Sequence, residues 1–182
     1  MQTELTKPGH LLKNDGTLAQ IGWSRQARLD CNFEQAAFYP RPLRFLQRLR
    51  LKCWDYYAVF TPQRFFSATI ADLGYAGNVF VYLLDWESGK LIEEGKVIPL
   101  ARGVKLPRNS AKGEAHYAGQ GVELSFRTRP DCRQLSVDWP QFDSGRGLSA
   151  DLTLQTGEAR ESLVIATPIP KAGQTPAQAR RF

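Results

Sequence analysis

The sequence predicts a mainly β protein, either an antiparallel barrel or a curved β-sandwich with at most one or two short helices. Ten Phe, six Tyr and four Trp favour the pleated, half-buried surfaces of sheets. After residue 54, apolar runs are separated by turn signals about every 8–12 residues, which is the spacing of sandwiches and barrels. Strands and helices do not alternate along the chain, as a parallel sheet would require.

The beginning of the chain is the least regular part. Residues 1–20 form a polar N-terminal segment with a turn predicted over 13–17. Residues 21–25 and the alternating apolar residues of 27–33 predict strand structure with one buried face. We therefore expect the antiparallel β domain to span residues 21–168.

The net charge of +6 comes mainly from one short segment. Residues 41–52 contain no acid, whereas basic and acidic groups nearly balance elsewhere. The leucine spacing over 42–49 also predicts a short helix that leads into a strand. Two interpretations stay open: a solvated basic edge, or a patch for an anionic partner such as nucleic acid or lipid head groups. The basic residues of the segment are Arg41, Arg44, Arg48, Arg50 and Lys52.

From Lys52 onward the pattern is a succession of hairpins. Two runs rich in aromatic and β-branched residues meet at Thr61-Pro62-Gln63, and the short connection predicts that the two strands pair. The continuous apolar run over 78–84 predicts a central strand buried on both faces. Further strands are predicted over 91–100, 114–118, 122–128, 134–139, 148–155 and 162–167.

Residues 169–182 have the composition of a linker, because prolines are frequent and bulky apolar residues are few. A linker at the end predicts a fragment, with a second β-rich half or self-association through an open sheet edge. Three scattered cysteines argue against a disulfide framework. No signal peptide or run of about 20 apolar residues is present, so we expect a cytoplasmic protein without a transmembrane segment.

Three separated motifs occur in order: Gly22-Trp23-Ser24-Arg25, Lys52-Cys53-Trp54-Asp55-Tyr56-Tyr57 and Ile70-Ala71-Asp72-Leu73-Gly74-Tyr75-Ala76-Gly77. Over about residues 20–100 the chain resembles an uncharacterised bacterial family, domain of unknown function 2804. The resemblance implies a second β-rich half beyond Phe182. A weaker similarity to lipocalin-like β proteins, which include carotenoid hydratases, implies a lipocalin-like barrel or sandwich. No catalytic residue is carried over from either resemblance.

Two residues are candidates for acid–base chemistry. His116 shares a predicted strand face with Glu114, as a base and its orienting carboxylate would; the alternative is an exposed strand pair. Asp72 lies among aromatic residues, which would raise the pKa of its carboxyl, but it also suits a cap for the Asp-Leu-Gly turn. No spacing of ligands predicts a metal site, and we expect no cofactor.

We expect a ligand site where the aromatic-rich strands converge, because apolar pockets with a few polar groups are typical small-molecule sites. A competing hypothesis places the functional loop at residues 102–113. The tryptophans could equally be core residues, and nucleic-acid binding is disfavoured because stacking needs exposed rings. The expected ligand-binding residues are Trp54, Asp55, Tyr57, Asp72 and Tyr75.

Three functions remain open on this sequence. The first is a module that binds a lipophilic small molecule in a barrel or sandwich. The second is a hydratase or lyase that uses a buried carboxylate on the same scaffold. The third is a basic interaction module at an anionic surface. Whether the chain is an enzyme is left undecided, because function belongs to sites rather than to folds.

Overall fold

The computed structural model describes residues 3–156 and the backbone of 164–166. The fold is mainly β, as predicted, with short helical segments. The 3-10 helices are Phe33–Gln35 and Arg41–Leu49, and the helical turn α1 is Phe142–Gly145. The strands are β1 Gly9–His10, β2 Gly22–Ser24, β3 Leu29–Asp30, β4 Cys53–Phe60, β5 Arg64–Asp72, β6 Ala76–Asp85, β7 Leu91–Pro99, β8 Gly113–Gly119, β9 Val122–Thr128, β10 Cys132–Trp139, β11 Leu148–Gln155 and β12 Val164–Ala166.

The chain divides into two compact units. In its described part, the first unit comprises residues 3–48, 108–113 and β12. It contains the parallel pair β1–β3 and the antiparallel pair β2–β12. Its small apolar cluster is built around Leu12, Leu18 and Ala36. The amide of Asn32 exchanges hydrogen bonds of 2.8 Å with the backbone of Leu12, so the polar beginning of the chain is held in place.

The second unit comprises residues 49–107 and 114–156 and is a sandwich of two four-stranded antiparallel sheets. The first sheet has the order β4-β5-β6-β7 and the second the order β11-β10-β9-β8. Each is a simple meander, because short turns join consecutive strands. The structure thus selects the sandwich from the two predicted architectures.

The sandwich core forms where the inward side chains of the two sheets meet. Alternate residues of β5 and β6, such as Ile70 and Val81, are completely buried. They pack in one cluster with Leu124, Trp139 and Phe142 of the second sheet and its following turn. Burying these side chains supplies the main driving force for folding this unit.

Side-chain caps close the hairpin turns of the first sheet. The Thr61 hydroxyl accepts the Arg64 N–H at 2.9 Å. At the next turn an Asp72 carboxylate oxygen accepts the Gly74 N–H at 2.7 Å, and Gly74 has a φ of +82°, which glycine adopts without strain. These turns fix the register of β4, β5 and β6.

Most predicted strands are confirmed, and the differences have physical reasons. Over 27–33 only Leu29–Asp30 is a strand, and a 3-10 helix follows. The central position of 78–84 is confirmed, but burial on both faces is wrong: Val79 and Val81 are buried, whereas Phe80 and its outward neighbours are half-buried. Of 162–167 the structure shows Val164–Ala166 as a strand. The predicted linker 169–182 lies outside the described residues.

Candidate functional site

Strand alternation separates the residues that were expected to form one pocket. In β4, Trp54 and Tyr56 point away from the core, and Trp54 is 66% exposed. Their neighbours Asp55 and Tyr57 point between the two sheets, where the Tyr57 ring meets that of Phe126 edge-to-face at 5.2 Å. The predicted site therefore consists of two places on opposite faces of the first sheet.

The outer place is an aromatic surface over small residues. Along the outer side of β5, Ser67 and Thr69 are 1% and 3% exposed. Large rings of the neighbouring strands flank them in register: Tyr56 pairs with Thr69, Thr69 with Phe80, and Ser67 with Tyr82. We call these outward residues of β4–β6, together with Trp54, the aromatic face.

The hydroxyls of Ser67 and Thr69 are unusual within this face. Both oxygens are buried, and neither has a hydrogen-bond partner among the residues that the structure describes. A buried hydroxyl without a partner costs about 1–3 kcal/mol, so such groups need an explanation. Here the two hydroxyls lie two residues apart on one strand. Thr69 has aromatic partners on both sides, whereas Ser67 lies between Ala58 and Tyr82.

One end of the aromatic face is covered by a group of neighbouring aromatic rings. Phe60 and Phe65 lie 4.9 Å apart between ring centroids, and Trp86 lies 6.4 Å from Phe65. The Trp86 indole N–H donates to the Thr61 carbonyl at 3.0 Å. This bond fixes one ring of the group against the β4–β5 turn.

The β6 and β7 side of the aromatic face carries a polar contact. The Tyr82 hydroxyl donates to a Glu93 carboxylate oxygen at 2.7 Å. This hydrogen bond raises the pKa of Tyr82. Gly95, the partner of Phe80 on β7, has no side chain, and a Cβ there would lie 3.3 Å from that of Phe80, so the two strands approach closely at this point.

The inner place is a polar cluster at one end of the sandwich. The Tyr57 hydroxyl shares hydrogen bonds with the side chains of Thr128 and Arg133. Burial raises the pKa of the Asp55 carboxyl, while the Tyr56 N–H and the charge of Arg133 act in the opposite direction. Burial also raises the pKa of the Tyr57 phenol, and the Asp55 charge raises it further. A raised pKa lets a carboxyl hold its proton to a higher pH than an exposed Asp does, which is a property of carboxyls that act as acids.

Asp72 and Tyr75 lie at the turn between β5 and β6. Asp72 caps that turn through the Gly74 N–H, which is the turn role considered above. Tyr75 is exposed, with the Lys52 ammonium 4.2 Å from its ring centroid. Lys52 also donates to the carbonyls of Leu73 and Leu49. The three side chains thus hold the beginning of β4 against the turn.

His116 and Glu114 share the outer face of β8, as predicted. Glu114 does not orient the imidazole: its carboxylate accepts from the Ser125 hydroxyl at 2.6 Å and from Arg127 at 3.0 Å. His116 lies 3.3 Å from Glu123. These contacts are those of a polar strand pair on the sheet surface.

A shallow depression of about 380 Å³ lies on the same polar face. Its lining comes from β9, β10 and β11, with Ser125, Arg127 and Gln134 among the side chains. The two outer faces of the sandwich therefore differ: the first sheet presents aromatic rings and the second presents charged and hydroxyl groups.

The model of one protein family matches residues 2–178 of the chain. The chain belongs to the family described as Domain of unknown function (DUF2804). No curated protein and no solved structure matches the chain.

Within this DUF2804 chain, the described residues contain no group of three His, Cys, Asp or Glu side chains placed to hold a metal ion. None of the helices in the described part is long and apolar enough to cross a membrane.

Sequence reasoning did not single out Ser67, Thr69, Thr128 or Arg133 of the DUF2804 chain. A usable signal existed for the first two: they recur at two-residue spacing within Phe-Phe-Ser-Ala-Thr-Ile-Ala, which places both hydroxyls on one strand face. Arg133 and Thr128 face each other across β9 and β10. Their approach to Tyr57 depends on sheet packing, so no local pattern could reveal it.

Proposed function

We propose that the sandwich binds a lipophilic small molecule that carries a hydrogen-bonding group, on the aromatic face of the first sheet. The observation that supports this proposal is the pair of buried hydroxyls of Ser67 and Thr69, which have no hydrogen-bond partner among the described residues and lie beside aromatic rings. Aromatic side chains supply apolar contact with few rotatable bonds. A few polar groups in an apolar site fix the orientation of a ligand.

Binding requires the rings to turn aside. Tyr56 is 48% exposed, so its ring has solvent beside it into which it can rotate. That movement would open the space above Thr69, whose hydroxyl could then pair with a hydroxyl or carbonyl of the ligand. The ligand gains affinity from the unpaired group, since satisfying it recovers about 1–3 kcal/mol.

Two matched fluorescent probes, 1-pyrenemethanol and 1-methylpyrene, test the proposal. They have the same ring system and differ by one hydroxyl. We expect 1-pyrenemethanol to bind more tightly, by roughly tenfold for one extra hydrogen bond of about 1.4 kcal/mol. The variant Thr69→Val keeps the side-chain shape and should remove that difference.

Thr153→Val is the matched control, because Thr153 is exposed on the second sheet. It should leave the preference for 1-pyrenemethanol intact. Equal affinity of the native protein for the two probes, or a preference that survives in both Thr69→Val and Ser67→Ala, contradicts the proposal. Loss of probe binding on dilution of a dimer would instead assign the face to a second copy of the chain.

The polar cluster around Asp55 supports a second candidate function, hydration of an alkene. The protonated Asp55 carboxyl would transfer its proton to one carbon of the double bond. Water would add to the other carbon, and its proton would return to the carboxylate. The supporting observation is the position of Asp55 between the two sheets, where burial raises the pKa of its carboxyl although the Arg133 charge opposes the shift.

Squalene incubated with the protein in ¹⁸O-water tests this second function by mass spectrometry. The expected product gains one labelled hydroxyl and disappears with Asp55→Asn. A product that forms equally with Asp55→Asn, or no labelled product, rules out the reaction on this alkene. We also propose a reducing compartment, the cytoplasm, because the described residues Cys31, Cys53 and Cys132 are not joined in a disulfide.

A further inference from the structure

The basic helix Arg41–Leu49 presents apolar side chains to solvent. Phe45 is 73% exposed and Leu43 is 46% exposed, whereas the buried residue of the helix is the polar Gln47. A surface helix of a globular protein ordinarily buries its apolar side chains. The distribution here is reversed, so packing within the helix's own compact unit does not explain these two side chains.

The turn of this helix sets cations beside the apolar side chains. A 3-10 helix has three residues per turn, so Phe45 and Arg48 share one face, while Leu43 lies on the next. Gln47 anchors the opposite side through a bond from its amide to the Glu34 carbonyl at 3.2 Å. Arg41 is exposed at the beginning of the helix, so the exposed surface combines Leu43 and Phe45 with Arg41 and Arg48.

The acids nearest in the same unit are already engaged. The Arg108 guanidinium lies 2.8 Å from a Glu34 carboxylate oxygen and 2.7 Å from an Asp30 carboxylate oxygen. Residues 41–52 contain no acid of their own. Residues 41–52 thus carry positive charge only, and Arg108 compensates the two acids.

We propose that residues 41–48 dock the protein on a lipid bilayer with anionic head groups. Arginines at such a surface are attracted to acidic phospholipids, and exposed Leu and Phe side chains enter the boundary between head groups and acyl chains. The short helix would lie in the plane of the membrane. This inference is independent of the ligand proposed for the aromatic face.

A membrane explains this surface better than a nucleic acid does. Phosphate contacts use the arginines but leave Leu43 without a role, and an isolated Phe45 gives stacking for a single base. Charge complementarity alone does not distinguish a membrane from a nucleic acid, because both are polyanions. Insertion of the apolar side chains does distinguish them, because only a membrane accepts those side chains.

Sedimentation with vesicles tests the inference. The probes are phosphatidylcholine vesicles with and without about a third of phosphatidylserine. We expect binding to the anionic vesicles and a loss of roughly tenfold for Phe45→Ala and for the double variant Arg41→Gln, Arg48→Gln. Val97→Ala is the control, because Val97 is 67% exposed but lies on β7, outside the aromatic face.

Thermal unfolding of each variant shows whether it is folded before its binding is compared. Absence of binding to anionic vesicles overturns the inference, as does an equal loss for Phe45→Ala and Val97→Ala. Binding to a short DNA duplex that the two Arg→Gln changes weaken and Phe45→Ala leaves unchanged assigns the surface to nucleic acid instead.

Discussion

Tyr56 and Thr69 are direct partners across β4 and β5, and their exposure is opposite: the ring is 48% exposed and the threonine 3%. The threonine hydroxyl is buried on the solvent side of the sheet, away from the sandwich core. Because no described residue hydrogen-bonds to this hydroxyl, it destabilises the isolated chain. A group that lowers stability in this way is expected at a binding surface rather than in a core.

Replacing Thr69 with Val should stabilise the protein. The change removes the unpartnered hydroxyl and keeps the branched shape that suits a strand, so we expect the free energy of unfolding to rise by about 1 kcal/mol. Urea unfolding measures this change. Thr153→Val, at an exposed strand position, should stay within about 0.5 kcal/mol of the native value. A loss of stability in Thr69→Val would indicate that its hydroxyl is hydrogen-bonded.

Val81→Asp should unfold the sandwich. Val81 is 0% exposed between the two sheets, and an unpaired carboxylate there has neither water nor a partner. We expect a loss of at least about 3–5 kcal/mol in the free energy of unfolding. Leu91→Asp serves as the control because Leu91 is 55% exposed. A cooperative thermal transition in Val81→Asp close to that of the control would mean that β6 is not a core strand.

The hairpins could be predicted because their signals are local. Turn residues on either side identified Leu148–Gln155 with the same bounds as the strand in the structure, and Gly119-Gln120-Gly121 marked the turn between β8 and β9. The prediction that both faces of 78–84 are buried was wrong, because a local pattern does not show what packs on a strand. A continuous apolar run shows that both sides of a strand are apolar, but not that a second layer covers both.

The candidate sites were harder to predict, because they depend on which side of each strand faces the second sheet. Alternation already requires Trp54 and Asp55 to point in opposite directions, so one pocket lined by both was not compatible with a strand. The approach of Arg133 to Asp55 joins residues far apart in the sequence. It follows from sheet-on-sheet packing and has no local signal.

The pH dependence of stability should reveal the burial of Asp55. Its pKa is raised in the folded protein, so the folded state holds the proton more tightly, and stability falls as the pH rises above about 4, the pKa of an unfolded Asp. Asp55→Asn removes this penalty. We expect its advantage in urea unfolding to be absent near pH 3 and to grow towards pH 7, while the exposed Asp138→Asn reports the background. A constant difference between Asp55→Asn and the native protein would contradict the raised pKa.

The effect of Glu114 on the pH dependence of stability should have the opposite sign to that of Asp55. The Ser125 hydroxyl and then Arg127 lower the pKa of its carboxyl, so its stabilising contribution is present above about pH 4.3 and is lost as the pH falls below that value. Glu114→Gln should therefore be less stable than the native protein at pH 7 and equal to it near pH 2. The same change at Glu123, which is 61% exposed, gives the comparison. An unchanged stability at pH 7 would show that the contacts of Glu114 contribute nothing.

The turn at Asp72 and the aromatic face can be separated by their responses to substitution. An Asn side chain retains the oxygen that accepts the Gly74 N–H, so Asp72→Asn should keep both the fold and the binding of 1-pyrenemethanol. Asp72→Ala removes the acceptor and should cost about 1 kcal/mol of stability, again without weakening the binding of the probe. Tyr56→Ala removes one ring of the aromatic face. It should weaken the binding of the probe by roughly tenfold or more, since a buried aromatic contact contributes over 1 kcal/mol.

Fluorescence titration of the four proteins, together with their urea unfolding, decides between the two locations. If Asp72→Asn abolishes probe binding while Tyr56→Ala leaves it unchanged, the ligand contacts the turn between β5 and β6, where Tyr75 and Lys52 also lie. The aromatic face is supported only if Tyr56→Ala weakens probe binding and Asp72→Ala lowers stability without weakening probe binding. That separation is expected because the Asp72 carboxylate is already used by the backbone of its own turn.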